Sequence, residues 1–123
     1  LKAGIEFINK KSIQTIKEHE DKLSKAFINK LKEINPVCIY GPLSMKEKTA
    51  VVSFNINGKD SAEIATALDE KYQIMVRVGL HCSPYAHKTI GTFPDGTVRA
   101  SFSIFNTIEE VDYFIDSLKK IIN

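Results

Sequence analysis

The chain has 123 residues, 43% hydrophobic and 26% charged, which is the balance of one globular domain with a core of its own. Its formal net charge is +2 and its lysines are scattered, so it lacks the dense basic stripe of a nucleic-acid-binding surface. No apolar run approaches the roughly 20 residues of a membrane span, and two cysteines without a visible signal peptide point to a reducing, cytoplasmic setting.

The chain opens Leu1-Lys2-Ala3-Gly4-Ile5, without an initiator methionine, and passes straight into helical pattern, as expected of a piece of a longer polypeptide. Residues 2 to 10 read as a short helix with Ile5 and Ile8 on one side. A longer helix is expected from Ser12 to about Ile34, because Ile13, Ile16, Leu23, Phe27, Leu31 and Ile34 keep helical spacings. Asn35-Pro36 stops it, since proline has no amide hydrogen and disfavours helix in the residue before it.

Val37 to Tyr40 is a short strand closed by Gly41-Pro42, with Cys38 as a half-buried strand residue. Thr49 to Ile56 is the next strand, ending at Asn57-Gly58. Asp60 or Ser61 can cap a helix running to about Lys71, and Asp60 with Glu63 has capping-box spacing. Ile74 to Val78 alternates as a strand, with Met75 and Arg77 on its polar side. From Gly79 to Gly96 regular pattern is lost, so a long, mobile loop is expected; such loops are usually functional or disordered. Thr97 to Phe105 alternates again, with Arg99 on the polar side. Thr107-x-x-Glu110 is a capping box for a last helix carrying Ile108, Val111, Phe114, Ile115, Leu118 and Ile121. The order α-α-β-β-α-β-β-α predicts an α+β fold, a small, mostly antiparallel sheet with helices packed on one face.

Arg77 and Arg99 are the only arginines in the chain. Arginine offers a rigid planar fork that grips a carboxylate or phosphate, so two of them flanking one loop cysteine suggest a working site. A thiol reacts as its thiolate, and nearby cations with partial exposure favour that form. Cys82 therefore reads as a candidate nucleophile with His81 beside it; the alternative is an inert loop cysteine. A zinc site from His81, Cys82 and His87 is disfavoured, because adjacent ligands rarely coordinate together and no second cluster completes four. His87-Lys88 has the form of a Schiff-base motif, but no shielded pocket or phosphate cradle precedes it, so Lys88 reads as a loop lysine. His19, between Glu18 and Glu20, reads as a surface residue.

Arg77-x-Gly79-x-His81-Cys82-x-Pro84, then Gly96-Thr97-Val98-Arg99-Ala100-Ser101, then Phe105-Asn106-Thr107-x-Glu109-Glu110-Val111-Asp112, resembles the C-terminal end of a cysteine desulfurase. Those enzymes belong to the class V aminotransferases, which use pyridoxal phosphate. Ile39-Tyr40-Gly41-Pro42 and the opening Leu1-Lys2-Ala3-Gly4 are similar to the same small domain, so the resemblance covers essentially residues 1–123. It implies a fold-type I architecture whose large cofactor-binding domain is absent from this chain. It further implies that Cys82 forms the persulfide, that Arg99 grips the substrate α-carboxylate, that Arg77 lines the site and that His81 neighbours the cysteine. Cysteine would become alanine, and the sulfur would pass to an acceptor protein, for example toward iron–sulfur cluster assembly. Pyridoxal phosphate is expected in a homodimeric full-length parent, with no cofactor or metal on this fragment, which would be inert alone. Leu80 stands where many relatives carry a second histidine, and residues 86–92 resemble a distinct subgroup. Selenocysteine lyase, transaminase or epimerase chemistry remains open on the same fold, as does a non-enzymatic carboxylate-binding module.

Overall fold

The computed structural model describes residues 1–122. Its elements are α1 (Lys2–Lys11), α2 (Ile13–Lys32), β1 (Val37–Tyr40), β2 (Val51–Ile56), α3 (Ser61–Tyr72), β3 (Arg77–Gly79), α4 (Pro84–Thr89), β4 (Thr97–Ser101) and α5 (Ile108–Ile122), with one 3-10 turn at Met45–Glu47. The strands form one antiparallel sheet in the order β1-β2-β4-β3. This is the α+β architecture that the hydrophobic periodicity predicts.

Helices α2, α3 and α5 pack on one face of the sheet. Alternation along β2 turns Val52, Phe54 and Ile56 into that layer, and β4 adds Val98 and Ala100. Phe27 of α2 is fully buried at the centre, with edge-on rings from Phe114, Phe102 and Phe54 at centroid distances of 4.8, 5.1 and 6.1 Å. Truncating such a buried aromatic to alanine costs about 3–5 kcal/mol, through lost burial and the cavity left behind. The opposite face carries the other register set: Cys38 opposite Asn55, Tyr40 opposite Ser53, Ser53 opposite Arg99, and Arg99 opposite Arg77.

Local chemistry sets the element ends. The Asp60 side chain accepts from the Ala62 and Glu63 N–H groups at 2.6 and 3.2 Å and starts α3. At α5 the capping box is reciprocal: the Thr107 N–H donates to Glu110 Oε2 at 2.9 Å, and the Glu110 N–H donates to Thr107 Oγ1 at 3.3 Å.

Five expectations need correction. The third strand begins at Arg77, not Ile74, because α3 closes on a left-handed Gln73 (φ 56°) and the Ile74 N–H turns back to the Leu68 carbonyl. The second strand begins at Val51 rather than Thr49. The fourth ends at Ser101 rather than Phe105, where Asn106 Oδ1 accepts from the Ser103 N–H at 2.9 Å and bends the chain into a turn. The Gly79–Gly96 stretch holds a helix, α4, with proline in its first turn; with His87 as its buried side chain, it has no apolar period to reveal it. Ile5, Ile8 and Ile13 lie outside the core, and α1 has no buried side chain. Its Phe7 instead stacks on Phe105 at 5.4 Å.

Candidate active site

Arg99 follows Val98 on β4, and strand alternation that buries Val98 turns Arg99 to the polar face. Across the ladder Arg77 is its register partner on the edge strand β3. Like charges directly opposite in a sheet repel. Among the described residues neither arginine makes an ion pair. Arg77 is exposed, whereas Arg99 is half-buried and its Nε has no hydrogen-bond partner. Two unneutralised guanidinium groups, one with a buried donor to spare, form a natural seat for an anion.

β3 ends at Gly79, and the chain turns through Leu80, His81, Cys82 and Ser83 into α4. The turn places the exposed Cys82 thiol beyond the end of the arginine-bearing strands. His81 lies beside it, with Nε2 at 3.4 Å from Thr97 Oγ1 and a buried Nδ1 that has no partner. Burial lowers the pKa of His81, and the nearby Arg99 guanidinium, with smaller contributions from the neighbouring His87 and Arg77, lowers it further, while a hydrogen bond with Thr97 opposes them. These effects favour the neutral form of the ring, whose buried Nδ1 is left without a partner.

Arg77 and Arg99 are thus a register pair on the sheet, His81 is close enough to feel both charges, and Cys82 follows it in the exposed turn. Asn55 on β2 is a support that sequence reasoning missed. Its Nδ2 donates to the Gly96 carbonyl at 2.9 Å and its Oδ1 accepts from the Val98 N–H at 3.3 Å, which pins the start of β4. A lone asparagine in a polar slot of an alternating strand gives no signal of this. On the same face Tyr40 has a raised pKa, chiefly from burial and then from its contact with the Cys38 thiol. Cys38 is half-buried, as its strand position predicts. His19 is not free on the surface: it is half-buried, with Nε2 at 2.9 Å from the Asn106 carbonyl oxygen. Lys88 stands over the rings of Phe93 and Tyr85, at 5.0 and 5.2 Å, on the outer side of α4. Among the described residues no group of three or more His, Cys, Asp or Glu is placed to hold a metal ion, and no helix is long and apolar enough to cross a membrane.

Clefts of about 580 and 510 Å³ lie elsewhere, one around Tyr40, Lys46 and Ser53, the other around Ile74, Phe102 and Phe114. The model of the class-V aminotransferase family matches residues 1–114. The chain belongs to that family. Like class-V aminotransferases in general, it has relatives built on the fold-type I plan of pyridoxal phosphate enzymes.

A probable cysteine desulfurase of Pyrococcus abyssi is 38% identical over 122 residues, covering 99% of this chain and 29% of that protein. The apo structure of the cysteine desulfurase from Thermococcus onnurineus superposes with a TM-score of 0.91 at 38% identity, over 98% of this chain and 29% of that one. The cysteine desulfurase CsdA of Escherichia coli, solved with an S-sulfonic acid, shares the fold with a TM-score of 0.85 at 21% identity, over 98% of this chain and 28% of that one. The chain thus spans about 29% of the length of these relatives.

Pyridoxal phosphate, which this family implies, has requirements against which the site can be tested. An amino-acid substrate needs a carboxylate seat, and a half-buried arginine without an ion pair has the chemistry for one. The cofactor itself needs a shielded lysine and a phosphate cradle. The lysine of the site loop, Lys88, is exposed on aromatic rings instead. The residues present fit the substrate end of such a site.

Proposed function

We propose that this chain is the small, substrate-facing domain of a pyridoxal phosphate-dependent cysteine desulfurase, whose large cofactor-binding domain lies in a longer polypeptide. The observation that supports this reading is an exposed thiol, Cys82, in the turn that follows the strand of Arg77, whose register partner is Arg99, with neither arginine in an ion pair among the described residues.

Arg99 takes the substrate carboxylate through its planar fork, and the more exposed Arg77 adds positive field on the same side. When bound, pyridoxal phosphate supplies an electron sink that labilises the bonds around the substrate α-carbon. The Cys82 thiolate attacks the substrate sulfur. The new S–S bond forms as the substrate Cβ–S bond breaks; the electron pair of that bond goes to carbon, which takes up one proton from an acid in the site, and alanine results. Cys82 is left as a persulfide for an acceptor protein. The neutral His81, with Nδ1 unpaired, is positioned to accept or return a proton beside the thiol. The parent acts as a homodimer in the cytoplasm, and the 123-residue chain alone is inert, because its residues lack the cofactor's own seat.

The test is the longer protein with pyridoxal phosphate and L-cysteine, followed by alanine release and mass spectrometry of the Cys82 peptide. Alanine together with one added sulfur on Cys82, lost in Cys82→Ala, is the expected result. Unchanged turnover in Cys82→Ala would move the reading to a lyase, transaminase or epimerase of the same family. Alanine released by the 123-residue chain alone would refute its inertness.

A further inference from the structure

His81 and Cys82 both have positive φ, 49° and 60°. The Ser83 N–H donates to the Leu80 carbonyl at 2.8 Å, so the two residues occupy the centre of a four-residue turn. That backbone normally selects Asn and Gly. For residues with a Cβ, two consecutive left-handed positions persist only where the surroundings over-determine them. The turn lies outside the sheet, since β3 ends at Gly79, and the ladder therefore does not hold it.

His87 lies behind it. It is 5% exposed and is the buried side chain of α4. Its Nδ1 is 2.7 Å from Thr92 Oγ1, and the Thr92 N–H donates to the His87 carbonyl at 2.9 Å, so the pair is tied twice. The His87 N–H donates to the Ser83 carbonyl at 3.2 Å, at the exit of the turn. The Thr92 carbonyl accepts from the Gly96 N–H at 2.7 Å, at the entry to β4. On its other side the His87 ring lies against that of His81, with centroids 5.7 Å apart and planes tilted by 49°. The proposed desulfuration gives this buried residue no role, yet its backbone joins the loop at Ser83 and Thr92 while its ring joins Thr92 to the strained His81.

We infer that His87, clamped by Thr92, is a positioning residue: it holds the Leu80–Ser83 turn in its left-handed form and thereby presents the Cys82 thiol. The catalytic meaning of this rests on Cys82 being the sulfur-accepting residue; the holding of the turn does not.

Amide hydrogen exchange at Ser83, read by NMR on the 123-residue chain, tests it without any turnover measurement. Thr92→Val removes the hydroxyl at constant size. It should speed exchange at Ser83 by about tenfold or more while Val52 and Phe54 change by less than about twofold, and Thr92→Ser should restore the slow rate. Glycine at position 82 relieves half of the opposed backbone. In the Cys82→Gly background the same Thr92→Val change should therefore speed Ser83 by no more than about threefold. A merely structural role for the clamp would give equal acceleration in both backgrounds, and that result, or no acceleration at all, overturns the inference. Should Thr92→Val fail to fold, Thr92→Ala takes its place. If both unfold while Thr92→Ser folds, the clamp supports the whole domain rather than the turn, and the inference falls. Loss of the desulfurase reading would leave these exchange rates as they are.

Discussion

Gly96 stands so close to Gly79 that a Cβ built on Gly96 would overlap the Gly79 carbonyl group. The contact sits where β3 leaves the sheet and β4 enters it, next to the register pair Gly79 and Thr97. Both glycines have positive φ, 97° and 80°, but only Gly96 lacks room for a methyl group. Gly96→Ala should therefore cost about 3 kcal/mol in urea denaturation, since the backbone itself has to move. Gly79→Ala, with open space around it, should cost only about 1 kcal/mol for the left-handed backbone. Equal losses would mean that the close approach carries no weight.

The two arginines should separate by burial. Arg99→Lys removes the planar fork at the half-buried position and should raise the KM of the longer protein for L-cysteine by about 10- to 100-fold, the equivalent of a lost charge-assisted hydrogen bond. Arg77→Lys keeps the charge on an exposed edge strand and should change KM by less than about threefold. Steady-state kinetics on both variants checks the order, and a larger effect at Arg77 would reverse the assignment of the carboxylate seat.

His81 gives the domain a signed pH dependence. Its folded pKa is lowered, first by burial and then by Arg99, so below the ordinary histidine value of about 6.5 the unfolded chain takes up a proton that the folded chain refuses. Stability should be flat above that value, then fall with falling pH until the depressed folded pKa is passed. Chemical denaturation between about pH 5 and 8 should show this slope, and His81→Gln should flatten it. A stability that rises on acidification through that window would contradict the placement of the ring.

The last helix depends on its box. Thr107→Ala should cost about 1 kcal/mol, as for other N-caps. Glu110 has its pKa lowered, first by the Asn106 side chain and then by the Thr107 N–H. Its contribution is thus present above the usual carboxylate range and is lost as pH falls through the depressed value. Comparing acid titrations of the natural chain and Glu110→Gln by helical circular dichroism checks this.

The helices and strands that bury a face were legible because burial imposes a period. Phe27, Leu31, Val52, Phe54, Phe114 and Leu118 all lie where 3.6- and 2-residue patterns put them. What escaped was fixed by hydrogen bonds without a period. Helix α4 has a single buried histidine, and the strand shift at Arg77 follows from one left-handed glutamine. His81, Cys82, Arg77 and Arg99 could be picked out as candidates from residue type and spacing, because arginine is rare in this chain and the thiol lies between the two. Asn55, Thr92 and Thr97 could not, since their work is done across the fold by polar side chains that any strand or loop could carry on its surface.

Helix α1 buries no side chain, and its link to the far end of the molecule is the stack of Phe7 on Phe105. Such a segment opens without disturbing the packed layer, at a small fraction of the free energy of global unfolding. The polypeptide should accordingly open in two steps of very unequal size. A protease that cuts after Lys10 or Lys11 should detach α1, and what remains from α2 onward should melt almost as the intact chain does.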